Sequence, residues 1–148
     1  MTTIAFDGRT LAADKQTTTG GTPTPTTKVF SAMSPRGERW LYACAGNTAE
    51  CQEFTRRVKA GQEMRTFTDL GILAIGPRGE VWICSQDLVW CRQMVKQWAI
   101  GSGADFALGA MAAGASAVKA VQIASRLNVN TGLGVDALKL VRKSKRKV

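Results

Sequence analysis

The order in which strand and helix patterns follow one another constrains the fold of this chain more than any other feature. Apolar residues alternate with other residues in short segments, and turns rich in glycine, proline or aspartate separate these segments. Such segments predict antiparallel hairpins. The predicted hairpin strands are residues 3–6 with 10–13, residues 28–32 with 40–43, and two strands within residues 70–86.

Helical spacing replaces this alternation in three segments. The predicted helices lie within residues 44–61, 104–116 and 117–127. Asn47 or Thr48 can cap the start of the first helix, and Gly61 can end it. Ser116 can cap the third helix. The second helix is rich in alanine and glycine, so it is expected to pack closely against another element.

Three further segments complete the element order. Residues 15–27, "KQTTTGGTPTPTT", have almost no large apolar side chains and predict an exposed loop. Residues 97–103 predict a short strand that runs into a glycine turn, and residues 135–142 predict a last strand. Since the helices come in separate groups, the order predicts an α+β fold of antiparallel sheets covered by helices rather than a parallel sheet.

Positive charge is concentrated at the C-terminal end. The chain of 148 residues has 20 Lys and Arg against 11 Asp and Glu, a net charge of +9. Its length predicts one domain over residues 1–140, followed by a basic tail at 141–148. Such a tail suits nucleic acid or an acidic partner, but we interpret it as a solubilising end because the body has little excess charge. Arg56, Arg57 and Lys59 form the only other basic cluster in the sequence.

The chain contains no histidine and four cysteines. Without histidine, a Ser-His-Asp or Cys-His mechanism and a His-ligated metal are excluded. The cysteines lack the Cys-x-x-Cys spacing of a zinc site and are interpreted as reduced thiols. No apolar run approaches the ~20 residues of a membrane span, and the start lacks the pattern of a secretory signal. We therefore expect a cytoplasmic protein that is not held in a membrane.

Five segments, in order along nearly the whole chain, resemble one known family. They are "TTIAFDGRTLAADKQTT" at the start, "TTKV" at 26–29, "ACAGNTAECQEF" at 43–54, "AIGSGADFALG" at 99–109 and "ASRLNVNTGLGV" at 124–135. In these segments the chain is similar to the proteasome β-type peptidases, which are N-terminal-nucleophile (Ntn) hydrolases, and in particular to the HslV-type peptidase subunit. The resemblance implies a four-layer αββα sandwich of two antiparallel sheets covered by helices.

The resemblance also implies a catalytic set. In chain order its members are Thr2, Asp14, Lys28, Gly46, Ser102, Asn128 and Thr131. Thr2 matches the nucleophile, Asp14 its helper carboxylate and Lys28 the essential lysine. Gly46 matches the glycine whose N–H forms the oxyanion hole. Asn128 stands where the family has a second carboxylate, so we expect weaker orientation of the terminal amine and slow turnover.

A threonine hydroxyl becomes a useful nucleophile only when a base takes its proton. Without histidine, that base is expected to be the α-amino group of Thr2, whose reference pKa of ~7.7–8.0 suits a general base. Met1 must then be removed, and threonine is small enough for methionine aminopeptidase to act. Lys28 is expected to stabilise the developing alkoxide, with Asp14 holding the lysine charged.

By the same resemblance, five residues contact substrate: Thr17, Thr26, Cys44 and Thr48 line the first specificity pocket, and Thr18 contacts the substrate strand. These side chains are small and mostly polar, so a broad preference is expected. The resemblance implies a homo-oligomeric ring that degrades unfolded polypeptide without a metal or cofactor. The chain lacks the Gly-x-x-x-x-Gly-Lys-Ser/Thr motif, so an ATPase unfoldase would be a separate protein.

Three other functions stay open from the sequence. An enzyme of this fold can cleave small amides instead of peptides. A non-catalytic ring subunit is favoured by Asn128 and by the shortness of the segment between residues 60 and 100. Nucleic-acid binding rests on the basic tail alone. Each predicted site residue taken singly also has a structural interpretation, so their joint occurrence is what favours a peptidase.

Overall fold

The computed structural model describes residues 2–141, so nearly all of the basic tail predicted at 141–148 lies outside the described residues. The strands are β1 Thr3–Phe6, β2 Thr10–Asp14, β3 Gln16–Thr19, β4 Thr22–Pro25, β5 Val29–Met33, β6 Arg39–Gly46, β7 Leu70–Ile75, β8 Val81–Cys84, β9 Cys91–Gln93, β10 Trp98–Gly101 and β11 Val135–Lys139. The helices are α1 Thr48–Ala60, α2 Ala104–Ala112 and α3 Ala117–Leu127. No helix in this part of the chain is both long and apolar enough to cross a membrane.

Two antiparallel sheets form the body of the fold. The first has the strand order β10-β1-β2-β11, and the second runs β5-β6-β7-β8-β9 in chain order. β1 is an inner strand, paired with β10 along one edge and with β2 along the other. The backbone that follows Thr2 is therefore held on both sides.

The side chains of the sheets alternate between two environments, as the two-residue period of a strand requires. On β1, Ile4 and Phe6 belong to a core cluster that includes Leu41 and Leu73 of the second sheet. Ala5, between them, belongs to a different cluster with α2 and α3. β1 thus turns one face to the second sheet and the opposite face to α2 and α3.

The helices pack on the two sheets in different ways. α2 and α3 lie on the first sheet through small side chains, including Ala5 and Ala12, which let the backbones approach closely. α1 lies on the second sheet through Phe54, which is 1% exposed. The Phe54 ring makes edge-on contacts with the rings of Phe30 and Tyr42.

The segment predicted as a loop at 15–27 is instead mostly a hairpin, and this prediction is wrong. β3 pairs with β4, with Gln16 opposite Pro25 and Thr19 opposite Thr22. Most of its side chains are exposed, so the lack of apolar residues predicted the exposure but not the pairing. Threonine has a β-branched side chain that suits extended backbone. The short strand β9 has no counterpart among the predicted elements.

The predicted helix caps are confirmed. Asn47 Oδ1 accepts a hydrogen bond from Glu50 N at 3.2 Å at the start of α1. Gly61 ends that helix in the left-handed region, with a φ of 63°. Ser116 Oγ accepts from Lys119 N at the start of α3. α1 therefore begins immediately after β6, and its first turn lies beside Gly46.

Replacing Phe54 with alanine is expected to lower the free energy of unfolding by about 3–5 kcal/mol, because a cavity would replace a buried ring. Chemical denaturation followed by circular dichroism would measure the change. Gln52→Ala, an exposed change on the same helix, is the control and should change the free energy by less than about 0.5 kcal/mol. Equal effects of the two substitutions would contradict the packing of α1 through Phe54.

Candidate active site

Three of the predicted catalytic side chains meet at the start of β1. Lys28 Nζ donates to Thr2 Oγ1 at 2.9 Å and to Asp14 Oδ1 at 2.9 Å. Thr2, Asp14 and Lys28 are 3%, 0% and 8% exposed. The ammonium group therefore bridges the hydroxyl and the carboxylate, and all three residues are largely buried.

Asp14, at the end of β2, is held by backbone groups as well as by Lys28. Its Oδ1 also accepts from Thr3 N at 2.9 Å. Its Oδ2 accepts from Gln16 N and Gly132 N, each at 3.1 Å. These donors satisfy the hydrogen-bonding capacity of the buried carboxylate, and they fix its two oxygens relative to Thr2.

Burial and pairing shift the pKa of Lys28 in opposite directions. Burial is the largest influence and lowers the pKa of the Lys28 ammonium, while the charge and hydrogen bond of Asp14 raise it. The ammonium group of a lysine in such an environment gives up its proton more readily than that of an exposed lysine. Since Nζ contacts Thr2 Oγ1, the arrangement can stabilise negative charge that develops on that oxygen.

Gly46 lies where β6 turns into α1, and it lines the same cleft as Thr2 and Lys28. Its φ of 114° lies in the region that favours glycine. A Cβ atom at this position would collide with the carbonyl oxygen of Asp69. The bend therefore admits only glycine, and backbone rather than side chain forms this part of the cleft wall.

The turn after β10 holds the backbone of Thr2. Ser102 Oγ and Gly103 N each donate to the Thr2 carbonyl oxygen at 3.4 Å. A Cβ atom on Gly101 would collide with that carbonyl, and one on Gly103 would collide with Thr3 Oγ1. The two glycines thus let the turn approach the N-terminal strand at close range.

Thr131 and Asn128 belong to the turn that follows α3. Thr131 Oγ1 lies 2.8 Å from Thr3 Oγ1, one residue from the predicted nucleophile. Asn128 Oδ1 accepts from Asn130 N at 2.8 Å, and Asn128 O accepts from Thr131 N at 3.2 Å. The described hydrogen bonds of Asn128 therefore support the turn that presents Thr131, and none of those within residues 2–141 reaches Thr2.

A cleft of about 360 Å³ opens beside Thr2, between β5, β6 and α1. The predicted pocket residues Thr17, Thr26, Cys44 and Thr48 all line it. The hydroxyl oxygens of Thr17 and Thr48 are 2.6 Å apart and join β3 to the start of α1. Thr18 lies outside this lining: it is exposed on β3, opposite Pro23 of β4.

One face of α1 contributes cleft residues that the sequence analysis missed. The additional lining residues are Cys51, Gln52, Thr55, Arg56 and Lys59 of α1, with Gln16, Thr27, Val29 and Phe30. The signal for them is the spacing of Gln52, Arg56 and Lys59, which places these side chains on one helical face. The prediction of a small, mostly polar pocket is therefore incomplete, because the cleft also carries cations.

Two thiols in the cleft wall interact with each other. The hydrogen bond between Cys44 and Cys51 is the largest influence on both, raising the pKa of Cys44 and lowering the pKa of Cys51. Lys28 lowers the pKa of Cys51 further, whereas burial raises the pKa of Cys84 to about 12. All four cysteines are free thiols. Within residues 2–141, no three His, Cys, Asp or Glu side chains converge as a metal ion would require.

The strands, helices and cleft together have the architecture of a proteasome-like Ntn-hydrolase fold. No protein-family model matches the chain, and no curated protein sequence matches it. Solved structures do match it. BPH, a bacterial proteasome homologue from Thiobacillus denitrificans, gives a TM-score of 0.72 at 20% identity, covering 97% of this chain and 99% of its own.

Two further structures give the same result. BPH from Thiobacillus denitrificans in complex with epoxomicin has a TM-score of 0.70 at 18% identity, covering 95% of this chain and 100% of that chain. Eukaryotic HslV from Trypanosoma brucei has a TM-score of 0.63 at 20% identity, covering 93% and 98%. At these identities the likeness establishes the fold. In its fold, the chain therefore confirms the resemblance to the HslV-type proteasome β-subunit family.

Cys51 is expected to react with iodoacetamide at neutral pH at least about tenfold faster than Cys84, because the thiolate is the reacting form and Cys51 has the lower pKa. Peptide mapping by mass spectrometry over a time course would measure both rates. The exposed Cys91 provides an internal reference. Faster modification of Cys84 than of Cys51 would contradict the described thiol pair.

Proposed function

We propose that the protein is a threonine-type peptidase subunit in which Thr2, once Met1 is removed, is the nucleophile. The observation that carries this proposal is the position of Lys28 Nζ, 2.9 Å from both Thr2 Oγ1 and Asp14 Oδ1. A buried ion pair that served stability alone would need no hydroxyl as a third partner at the edge of an open cleft.

In the proposed reaction, the free α-amino group of Thr2 takes the proton from Oγ1, and this oxygen attacks the carbonyl carbon of the scissile peptide bond. Lys28 stabilises the developing negative charge, while Asp14 keeps the lysine charged and in place. We assign the Gly46 N–H to the oxyanion of the tetrahedral intermediate. Loss of one such donor typically costs about 2.7–4 kcal/mol of transition-state stabilisation.

Collapse of this intermediate breaks the C–N bond, and the protonated α-amine returns its proton to the leaving amine. An ester to Thr2 Oγ1 remains. Water then attacks the ester with the α-amine again as base, which releases the second product as a carboxylic acid and restores the hydroxyl. In this scheme Ser102 and Thr131 keep the N-terminal strand in place, and Asn128 supports the Thr131 turn without adding a charge.

The proposed substrate is an unfolded polypeptide whose side chain before the cleaved bond enters the cleft. Thr17, Thr26, Cys44 and Thr48 would contact that side chain, since all four line the cleft. Thr18 is kept as a proposed contact to the substrate backbone, because an exposed strand can pair with an extended peptide. The chemistry needs no cofactor beyond the residues of this chain.

We further propose that identical subunits assemble into a ring that a separate ATPase unfoldase supplies with substrate. An enclosed chamber would keep an unselective nucleophile away from folded proteins. The packing of both sheets between helices supports the four-layer αββα description of the subunit. The cytoplasmic location and the single domain over residues 1–140 stay predictions from the sequence.

Intact-mass spectrometry before and after treatment with a peptide epoxyketone tests the proposed nucleophile. We expect the loss of Met1 and a single adduct on Thr2, because the reagent needs both a free amine and an activated hydroxyl. Thr2→Ala is the control and should stay unlabelled. Retention of Met1, or an adduct at another residue only, would instead favour a non-catalytic subunit.

Removal of Met1 without an adduct would have two explanations: the missing charge at Asn128, or a function other than peptide cleavage. Asn128→Asp separates these two explanations. This variant keeps an oxygen that can accept from Asn130 N and adds the charge that the resemblance leads one to expect. Labelling gained by the variant would identify the missing charge as the cause. Continued absence of labelling would favour an enzyme that cleaves other amides, or a non-catalytic subunit.

Lys28→Met is expected to reduce peptide cleavage by roughly 10²–10⁴-fold, because the cation that assists proton transfer at Thr2 Oγ1 is lost. It also leaves Asp14 buried without its ion-pair partner, at a cost of about 3–5 kcal/mol of stability, so folding is checked by thermal denaturation. Lys15→Met removes a partly exposed lysine paired with Asp136 and is the matched control. Equal activity in the two variants would exclude a catalytic role for Lys28.

A further inference from the structure

The cleft beside Thr2 carries an unbalanced charge. Among the residues of the described chain that line it, Lys28, Arg56 and Lys59 are cations, and none is an aspartate or glutamate. Lys28 is paired with Asp14 at 2.9 Å, so its charge is balanced locally. The excess positive charge at the cleft therefore comes from α1.

The cations of α1 are only partly balanced by its acids. Glu53 pairs with Arg56 at 2.8 Å and with Arg57 at 2.7 Å. The hydrogen bonds from Arg56 and then Arg57 lower the pKa of Glu53 to about 2, so one permanent carboxylate serves two guanidinium groups. Glu50, near the opposite end of the helix, accepts a hydrogen bond from Asp69 N at 2.7 Å. Neither acid is available to Lys59.

Lys59 is placed over the apolar floor of the cleft. Its Nζ lies 5.7 Å from the centre of the Phe30 ring, and Phe30 lines the cleft two residues after Lys28. Within residues 2–141, no carboxylate forms an ion pair with Lys59. Lys59 is exposed, so a carboxylate that reaches it forms a solvated ion pair of modest strength.

We propose that Lys59 makes the protein select an acidic side chain, chiefly glutamate, immediately before the cleaved bond. This inference rests on the proposed peptidase function, which places the reacting carbonyl carbon at Thr2 Oγ1. The preceding side chain then enters the cleft towards Phe30, where its carboxylate accepts a hydrogen bond from Lys59 Nζ. Glutamate is preferred to aspartate because its side chain is one methylene longer, and Lys59 lies at the end of α1 that is remote from Gly46. This preference replaces the broad one predicted from the sequence.

The test compares fluorogenic peptides that differ only in the residue before the reporter amide, which is Glu, Gln, Leu or Arg. The Glu peptide should have a kcat/KM about two- to fivefold above that of the Gln peptide, mainly through KM, because it adds an exposed ion pair at almost unchanged shape. A higher salt concentration should reduce the difference in kcat/KM between the Glu and Gln peptides. A Glu peptide that is cleaved no better than the Gln peptide would overturn the proposal.

Two substitutions assign the preference to Lys59. Lys59→Gln should lower the ratio of kcat/KM between the Glu and Gln peptides to about 1, because the carboxylate loses its cationic partner. Lys59→Glu should shift the preference to the Arg peptide. Lys119→Gln, on the exposed surface of α3 and outside the cleft lining, is the control and should preserve the Glu preference. An equal loss with all four peptides in Lys59→Gln would indicate a structural effect and overturn the proposal.

A binding measurement separates failure of this proposal from failure of the peptidase proposal. Fluorescence polarisation with Thr2→Ala protein and fluorescein-labelled Glu or Gln peptide amides needs no cleavage. Tighter binding of the Glu peptide, lost when Lys59→Gln is added, would support charge selection even if the epoxyketone forms no adduct. Equal binding of the two peptides, or no binding, would overturn charge selection, while an adduct on Thr2 would leave the peptidase proposal standing.

Discussion

The buried contact between Asp14 and Lys28 is the interaction on which the rest of the site depends. A carboxylate with 0% exposure needs a full set of donors, and here Lys28 and three backbone N–H groups provide them. Those N–H groups come from β1, β3 and the loop before β11. Lys28 arrives from the segment before β5, so the same contact also joins the first sheet to the second. The site geometry therefore exists only once both sheets have formed.

Because the chain has no histidine, the charged groups of its candidate site differ from those of a hydrolase that uses an imidazole base. Its candidate base is a terminal amine, and its cation is a lysine whose pKa burial lowers. The amine cannot move without the backbone, because it is the main-chain nitrogen of Thr2, immediately before β1. Glycines at 46, 101 and 103 complete this arrangement by removing side chains where backbone segments must approach Thr2, Thr3 and Asp69. The precision of the site thus comes mainly from main-chain packing.

Much of the fold could be predicted because its signals are local. The alternation of Ile4, Ala5 and Phe6 and the caps at Asn47 and Gly61 depend on near neighbours in the sequence, and the structure agrees with each. The β3–β4 hairpin was missed because its threonines form no apolar face, so its pairing depends on main-chain hydrogen bonds that leave no hydrophobic pattern.

The site was predictable only in part. No period links Thr2, Asp14 and Lys28, and resemblance alone brought these distant residues together before the structure placed them in contact. The cations of α1 were visible as a cluster in the sequence, but which helical face borders the cleft depends on how α1 packs through Phe54. Tertiary packing therefore decides whether the cations of α1 border the cleft, and the charge pattern in the sequence does not show it.

The inner position of β1 has a consequence for how the candidate site is lost on unfolding. Most chain termini fray at almost no cost in free energy, so they open far more often than the whole molecule does. Detaching β1 from its partners would break ladders with both β10 and β2 and expose Ile4 and Phe6. Thr2, the proposed nucleophile, immediately precedes this strand, so its position depends on the same cooperative unit as the core. Amide hydrogens of β1 are expected to exchange through global opening. The working lifetime of the site is then the lifetime of the folded domain.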